Sequence, residues 1–154
     1  MAGKQCNVRN KAKANDEEVL NLYKYFIWAD SMKTAYENLL ERNLQEIIPI
    51  TKFEAEYNLF ISYWFGGLYV VIEGWQELNI KDKGIDSLLK SPNVNLLRRY
   101  RNGVFHFQRD YFDERFMGFL RDGVSRIEWV QVLHGEFERF FAEWSQERRA
   151  LIRT

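Results

Sequence analysis

The chain of 154 residues has one cysteine, two histidines and two prolines. A single thiol, Cys6, cannot close an intrachain disulfide, and a reducing compartment fits such a chain. One thiol and two imidazoles are too few for a typical zinc site. No metal or other cofactor is expected. The HExxH, P-loop, GxGxxG, CxxC and Gly-x-Ser-x-Gly patterns are all missing, which removes the chemistries those spacings carry. Charge of either sign is not in excess: 22 basic residues face 22 acidic ones. A global electrostatic grip on nucleic acid is therefore not indicated, and any polyanion must be met by a local patch. Long apolar runs are lacking too. The longest, Leu59 to Ile72, stops at Glu73, short of the roughly 20 residues of a membrane span. The first fifteen residues are polar, with no apolar stretch of the signal-peptide kind. A cytoplasmic protein without membrane contact is expected.

Apolar side chains are plentiful. Hydrophobic residues make up 46% and aromatics 16% of the chain, enough for a real core, so disorder of the whole chain is not expected. The length suits one domain. Residues 1–14, with Lys4, Arg9, Lys11 and Lys13, read as a flexible basic tail, and residues 15–154 as a single helical domain.

Helical periodicity dominates that domain. Asn15 followed by Asp16, Glu17 and Glu18 opens a first helix. Leu22, Phe26, Ala29, Met32, Tyr36 and Leu39 then recur at steps of three and four, and the helix should end before Pro49. Thr51 and Glu54 form a capping box for a second helix reaching about Leu78. That helix is apolar nearly all round, so it belongs at the centre. Its Gly66-Gly67 pair costs roughly 1 kcal/mol of helix propensity per residue, which implies a closely approaching helix or a bend. Ile85 to Lys90 suits a short helix. Ser91 and Pro92 restart the chain as a helix running to between Phe107 and Asp110. Asp113 caps a short segment that stops at Asp122-Gly123. Ser125 and Glu128 form another capping box, and Trp129, Leu133, Phe137, Phe140 and Trp144 stripe the last helix. No strand pattern occurs. The expectation is an all-α, four- or five-helix antiparallel bundle.

One segment concentrates polar chemistry: Arg98-Arg99-Tyr100-Arg101-Asn102-Gly103-Val104-Phe105-His106. It places three arginines, an amide and an imidazole within about two helical turns. An imidazole moves protons near neutral pH, and a guanidinium holds phosphate through paired hydrogen bonds. Seven arginines between Arg98 and Arg126 outnumber four acids in the same span, so a local basic patch is available. On a continuous helix Arg99, Asn102 and His106 share a face, with Arg98 at its edge. Arg101 falls roughly 140° from His106, and joins it only if the helix bends, which Gly103 permits. Otherwise Arg99 is the natural phosphate holder. The structural reading of His106 is an imidazole hydrogen-bonded inside the bundle. Phe105, Phe107 and Tyr111 would by default pack the core; base stacking or an interface are the other uses. His134 has no polar company and reads as structural or surface. Glu73, at the end of an apolar run, either pairs with an arginine of the cluster or is a solvated helix end.

Arg101-Asn102-Gly103-Val104-Phe105-His106 resembles the Arg-x(4–6)-His motif of the HEPN superfamily in its Arg-Asn-x-x-x-His form. Helix order extends the likeness over about residues 16–148. The resemblance implies an all-α bundle with the motif on a late helix. It further implies a metal-independent endoribonuclease of toxin or defence type, acting as a homodimer whose two motifs form one cleft. By position, Arg101 and His106 would be the catalytic pair and Asn102 their polar companion. Glu73 would be an accessory acid. Arg98 and Arg99 are supporting phosphate contacts on the reading of the residues themselves. RNA and an antitoxin or other protein are the implied partners. Some members of the superfamily are inactive binding modules, so the alternative expectation is a non-catalytic helical module for a protein partner or a nucleotide ligand.

Overall fold

A computed structural model of the protein describes residues 14–45 and 50–152. Among them are six helices and no strand: α1 (Asp16–Gln45), α2 (Ile50–Glu77), α3 (Lys83–Leu88), α4 (Asn93–Phe105), α5 (Glu114–Leu120) and α6 (Gly123–Ile152). Four are long, and α3 and α5 are short connecting helices. No helix of the described residues is long and apolar enough to cross a membrane. Cys6 and Pro49 lie outside the described residues, as does the anticipated basic tail apart from Ala14. Ala14 itself is half-buried against the core, so the folded part reaches one residue further than expected.

The helix ends have local causes. Asn15 and Glu18 exchange side-chain-to-backbone hydrogen bonds of 2.8 and 3.0 Å, a reciprocal cap that satisfies two otherwise orphaned N–H groups. After α2, Asn79 adopts a positive φ of 53°. The Ile80 N–H bonds the Trp75 carbonyl, and that of Asn79 bonds Gln76, the Schellman termination. Asp82 caps α3 through the N–H groups of Gly84 and Ile85. The Ser91 hydroxyl accepts from the Asn93 N–H at 3.2 Å, so Pro92 sits at the boundary and α4 begins one residue later than expected. Asp113 caps α5, as anticipated. Two other helices begin earlier than expected, α2 at Ile50 and α6 at Gly123, which places Thr51 and Ser125 inside first turns rather than ahead of them.

Cross-helix contacts fix the topology. Ala29 faces Gly67 and Leu22 faces Gly74, while Tyr36 meets Tyr57, so α1 and α2 run antiparallel. Tyr23 stacks on Phe141 and Phe26 lies against His134 and Phe137, which makes α1 and α6 antiparallel as well. α4 runs antiparallel to α2, with Phe105 beside Tyr63 and Arg101 bonded to Glu73. One cluster of buried side chains draws on all six helices and is centred on α2, where Trp64, Phe65, Leu68 and Val71 are sealed from solvent. The α1 stripe buries as predicted. The α6 stripe is rotated: Val130, Leu133, His134, Phe137 and Phe141 face the core, and Trp129, Phe140 and Trp144 flank it.

The adjacent glycines of α2 serve two neighbours. A Cβ on Gly66 would stand 2.9 Å from the Phe105 ring of α4, and one on Gly67 would stand 3.3 Å from the Ala29 Cβ of α1. Consecutive helical residues point about 100° apart, so one pair of missing side chains admits helices on two sides.

Candidate active site at the end of α4

α4 turns the polar segment toward α2 by burying Leu97 and Tyr100 and leaving Arg98 and Arg99 exposed. The Tyr100 hydroxyl lies 3.2 Å from the Ser62 hydroxyl. Burial pushes the Tyr100 phenol above its ordinary pKa, with the Ser62 bond opposing, so it stays protonated. One residue on, Arg101 crosses α2 beside Gly66. Its Nη2 donates to Glu73 Oε1, and its guanidinium carbon sits 5.1 Å from the centroid of the Tyr69 ring. The acid at the end of the apolar run thus takes an arginine of the cluster, in a pair whose carboxylate stays half-exposed. The remaining guanidinium donors have no hydrogen-bond partner among the described residues, and Nε is buried as well as unpaired. An ion pair plus a ring face orients Arg101 while leaving donor capacity.

α4 stops at Phe105, and this corrects the expected helix face. His106 is the residue after the helix, in extended backbone with φ −128° and ψ 124°. Its N–H still bonds the Asn102 carbonyl at 3.1 Å, but its side chain leaves the helical path. The helix therefore does not align Arg99, Asn102 and His106. No hydrogen bond or ion pair joins Arg98, Arg99, Arg101 or the Asn102 side chain to the imidazole among the described residues. α4 also runs unbroken through Gly103, which is a packing glycine and not a hinge. It is buried, and a Cβ there would lie 2.9 Å from the Phe116 ring of α5.

The reading of His106 as a buried structural imidazole is likewise overturned: the side chain is exposed. It stands at the rim of a groove of about 550 Å³ between α2, α4, α5 and the 106–113 loop, whose polar lining includes Asn58, Ser62, Tyr100 and Gln108. Core packing of the neighbouring aromatics is overturned too. Phe105 is half-exposed, and Phe107, Tyr111 and Phe112 stand in solvent.

The basic patch is smaller than composition implied. Arg101, Arg115, Arg121 and Arg126 are each paired with a carboxylate, and Arg126 also donates to the Gly118 and Phe119 carbonyls that end α5. Arg98, Arg99 and Arg109 are exposed and make no ion pair among the described residues.

His134 proves structural. It is fully buried, accepts at Nδ1 from the Trp64 indole N–H at 3.1 Å, and meets Asp30 Oδ1 through Nε2 at 2.9 Å. An acceptor Nδ1 fixes the neutral tautomer with Nε2–H donating to Asp30. Burial lowers its pKa, against the pull of Asp30. Asp30 lies seven residues from Tyr23 and eight from Leu22 on α1, and its polarity beside an apolar stripe was the available signal for a buried partner.

No family model, no curated protein and no solved structure matches this chain.

Proposed function

We propose that the protein is a HEPN-like, metal-independent endoribonuclease, on the strength of one observation above all. The motif's histidine stands exposed at the rim of a groove that also presents Ser62, Asn58 and Gln108, while its arginine, on the last turns of the helix that His106 follows, is oriented by Glu73. In this reading the 2′-hydroxyl of RNA loses its proton to a His106 imidazole and attacks the adjacent phosphorus. The bond to the 5′-oxygen breaks, and that oxygen takes a proton from an imidazolium. The Arg101 guanidinium faces the charge that develops on the phosphoryl oxygens. General acid–base transfer contributes about 10²–10⁴ in rate, and one preorganised donor roughly 3–4 kcal/mol.

A homodimer belongs to this proposal. Arg101 engages α2 at Tyr69 and Glu73, and the groove beside His106 reaches α2 at Ser62. Seven to eleven residues of helix separate these levels, about 10–17 Å. A second copy facing the first would bring the arginine of one chain toward the imidazole of the other, and two copies of His106 would supply both base and acid. Asn102, Arg98 and Arg99 then flank the cleft. An antitoxin would act by covering it.

A non-catalytic helical module is the second reading. It is favoured by the engagement of Arg101 with Glu73 and Tyr69, which a purely structural arginine would also show. Product chemistry separates the two. End-labelled RNA incubated with the protein in EDTA should yield fragments with 2′,3′-cyclic phosphate and 5′-hydroxyl ends. Fragments with 5′-phosphate ends, or intact RNA, contradict the proposal.

A further inference from the structure

The 106–113 loop exposes aromatic surface that the bundle does not use. Phe107 is 92%, Tyr111 81% and Phe112 66% exposed. Single exposed apolar residues are ordinary on a protein surface. Three aromatic rings within six residues, all bordering the same groove as His106, are a patch that marks binding.

The loop is held and not slack. The Gln108 amide donates to the His106 carbonyl and its oxygen accepts from Arg115. Arg115 is paired with Asp113, the residue that caps α5. Asp110 Oδ1 accepts from the Phe112 N–H at 2.9 Å, and the Tyr111 and Phe112 rings meet edge to face with centroids 5.0 Å apart. Both carboxylates of the loop are thus engaged in its own turns, while Arg109 is exposed without an ion pair. The surface left to a partner is aromatic and cationic.

Resting on the ribonuclease reading, we propose that this loop is a base-stacking platform. It holds an unpaired nucleobase next to the phosphate at His106 and so restricts the substrate to single-stranded RNA. Ring faces stack on any base, and a paired base offers no free face. Arg109, with Arg98 and Arg99 on α4, supplies charge complementary to the phosphates. The hydroxyl and amide groups of Ser62 and Asn58 inside the groove face the edge of an inserted base. Preorganisation by the Gln108–Arg115–Asp113 chain lowers the ordering cost of binding.

The test is fluorescence anisotropy with a labelled, uncleavable 2′-O-methyl oligonucleotide, single-stranded and as its duplex. The proteins are the wild type, Phe107→Leu, Tyr111→Leu and Phe107→Trp. All the substituted positions are on the surface, and circular dichroism checks each fold. The single strand should bind more tightly than the duplex. Each leucine variant should weaken it roughly 5- to 150-fold, and tryptophan at position 107 should restore binding. Equal binding of strand and duplex, or leucine variants that bind like the wild type, overturns the platform. The second result would assign the rings to a protein partner. An RNA-cleaving protein whose rate is indifferent to these substitutions also overturns the platform but leaves the ribonuclease reading intact. Ring-dependent binding without cleavage supports the platform and removes the catalysis.

Discussion

At His134 two hydrogen bonds join three helices: α6 carries the imidazole, α2 the Trp64 indole and α1 the Asp30 carboxylate. His134→Ala leaves the buried indole N–H without a partner and opens a cavity among aromatic rings. Urea unfolding should show a loss of about 2–4 kcal/mol. The sign of the pH effect follows from the lowered pKa. The unfolded chain takes up a proton at the ordinary histidine value of 6.5, and the folded chain does so only at lower pH. The unfolded state therefore binds more protons in that window. The contribution is intact above the unfolded value and is lost as pH falls toward the folded one, by at most about 1.4 kcal/mol per pH unit. Melting curves should show His134→Gln losing less stability than the wild type between about pH 7 and about pH 5.5. Arg101 behaves differently. Its pair with Glu73 is partly exposed, so Glu73→Gln should cost less than about 1 kcal/mol of stability. If Glu73 orients the guanidinium, the same substitution lowers kcat of RNA cleavage with little change in KM.

Among the elements, the Gly66-Gly67 pair is where α2 depends most on missing atoms. Gly67→Val adds a branched side chain against the Ala29 backbone, which lies in the core and has no room to yield. Overpacking of this kind costs about 1–3 kcal/mol, and chemical denaturation of the variant should show it. The glycine pair also marks what sequence could foretell. Two glycines in an apolar helix imply a closely approaching helix or a bend, and close neighbours stand against both, Phe105 at Gly66 and Ala29 at Gly67. Of the two readings open to a lone acid at the end of an apolar run, an ion pair or a solvated helix end, Glu73 shows the ion pair, with Arg101, while staying half-exposed. The α1 stripe was legible because Leu22, Phe26, Ala29, Tyr36 and Leu39 repeat over eighteen residues with mostly polar positions between them. The α6 face was less so. Aromatic residues occupy neighbouring positions there, and Trp129, Phe140 and Trp144 pattern as well as the residues that bury. The end of α4 was not legible. Neither proline nor glycine follows Phe105, and the helix stops where α5 packs across Gly103 through Phe116. That is a contact between residues thirteen apart, invisible to local pattern. Ending two to five residues earlier than expected, the helix leaves His106 outside it with an exposed side chain, and the expected face with Arg99 and Asn102 is dissolved.

The whole molecule has zero net charge, and around the groove the pairing of Arg101, Arg115, Arg121 and Arg126 with carboxylates leaves a modest cationic surface made by Arg98, Arg99 and Arg109. RNA binding should accordingly depend weakly on salt. Three phosphate contacts to a single strand give a slope of log affinity against log salt near −2, from about −0.7 per contact. Anisotropy titrations over a salt series measure it, and Arg109→Ala should make the slope shallower by about 0.7. In the proposed ribonuclease, His106 transfers the proton. This role is tested most directly by the initial rate on a mixed-sequence labelled RNA in EDTA, for the wild type and His106→Ala. The imidazole is exposed, and its backbone bond to Asn102 survives in alanine, so the variant should melt like the wild type. A rate reduced by about 10²–10⁴ is expected in that folded variant. Equal rates, or no cleavage by either protein, would contradict the proposed role.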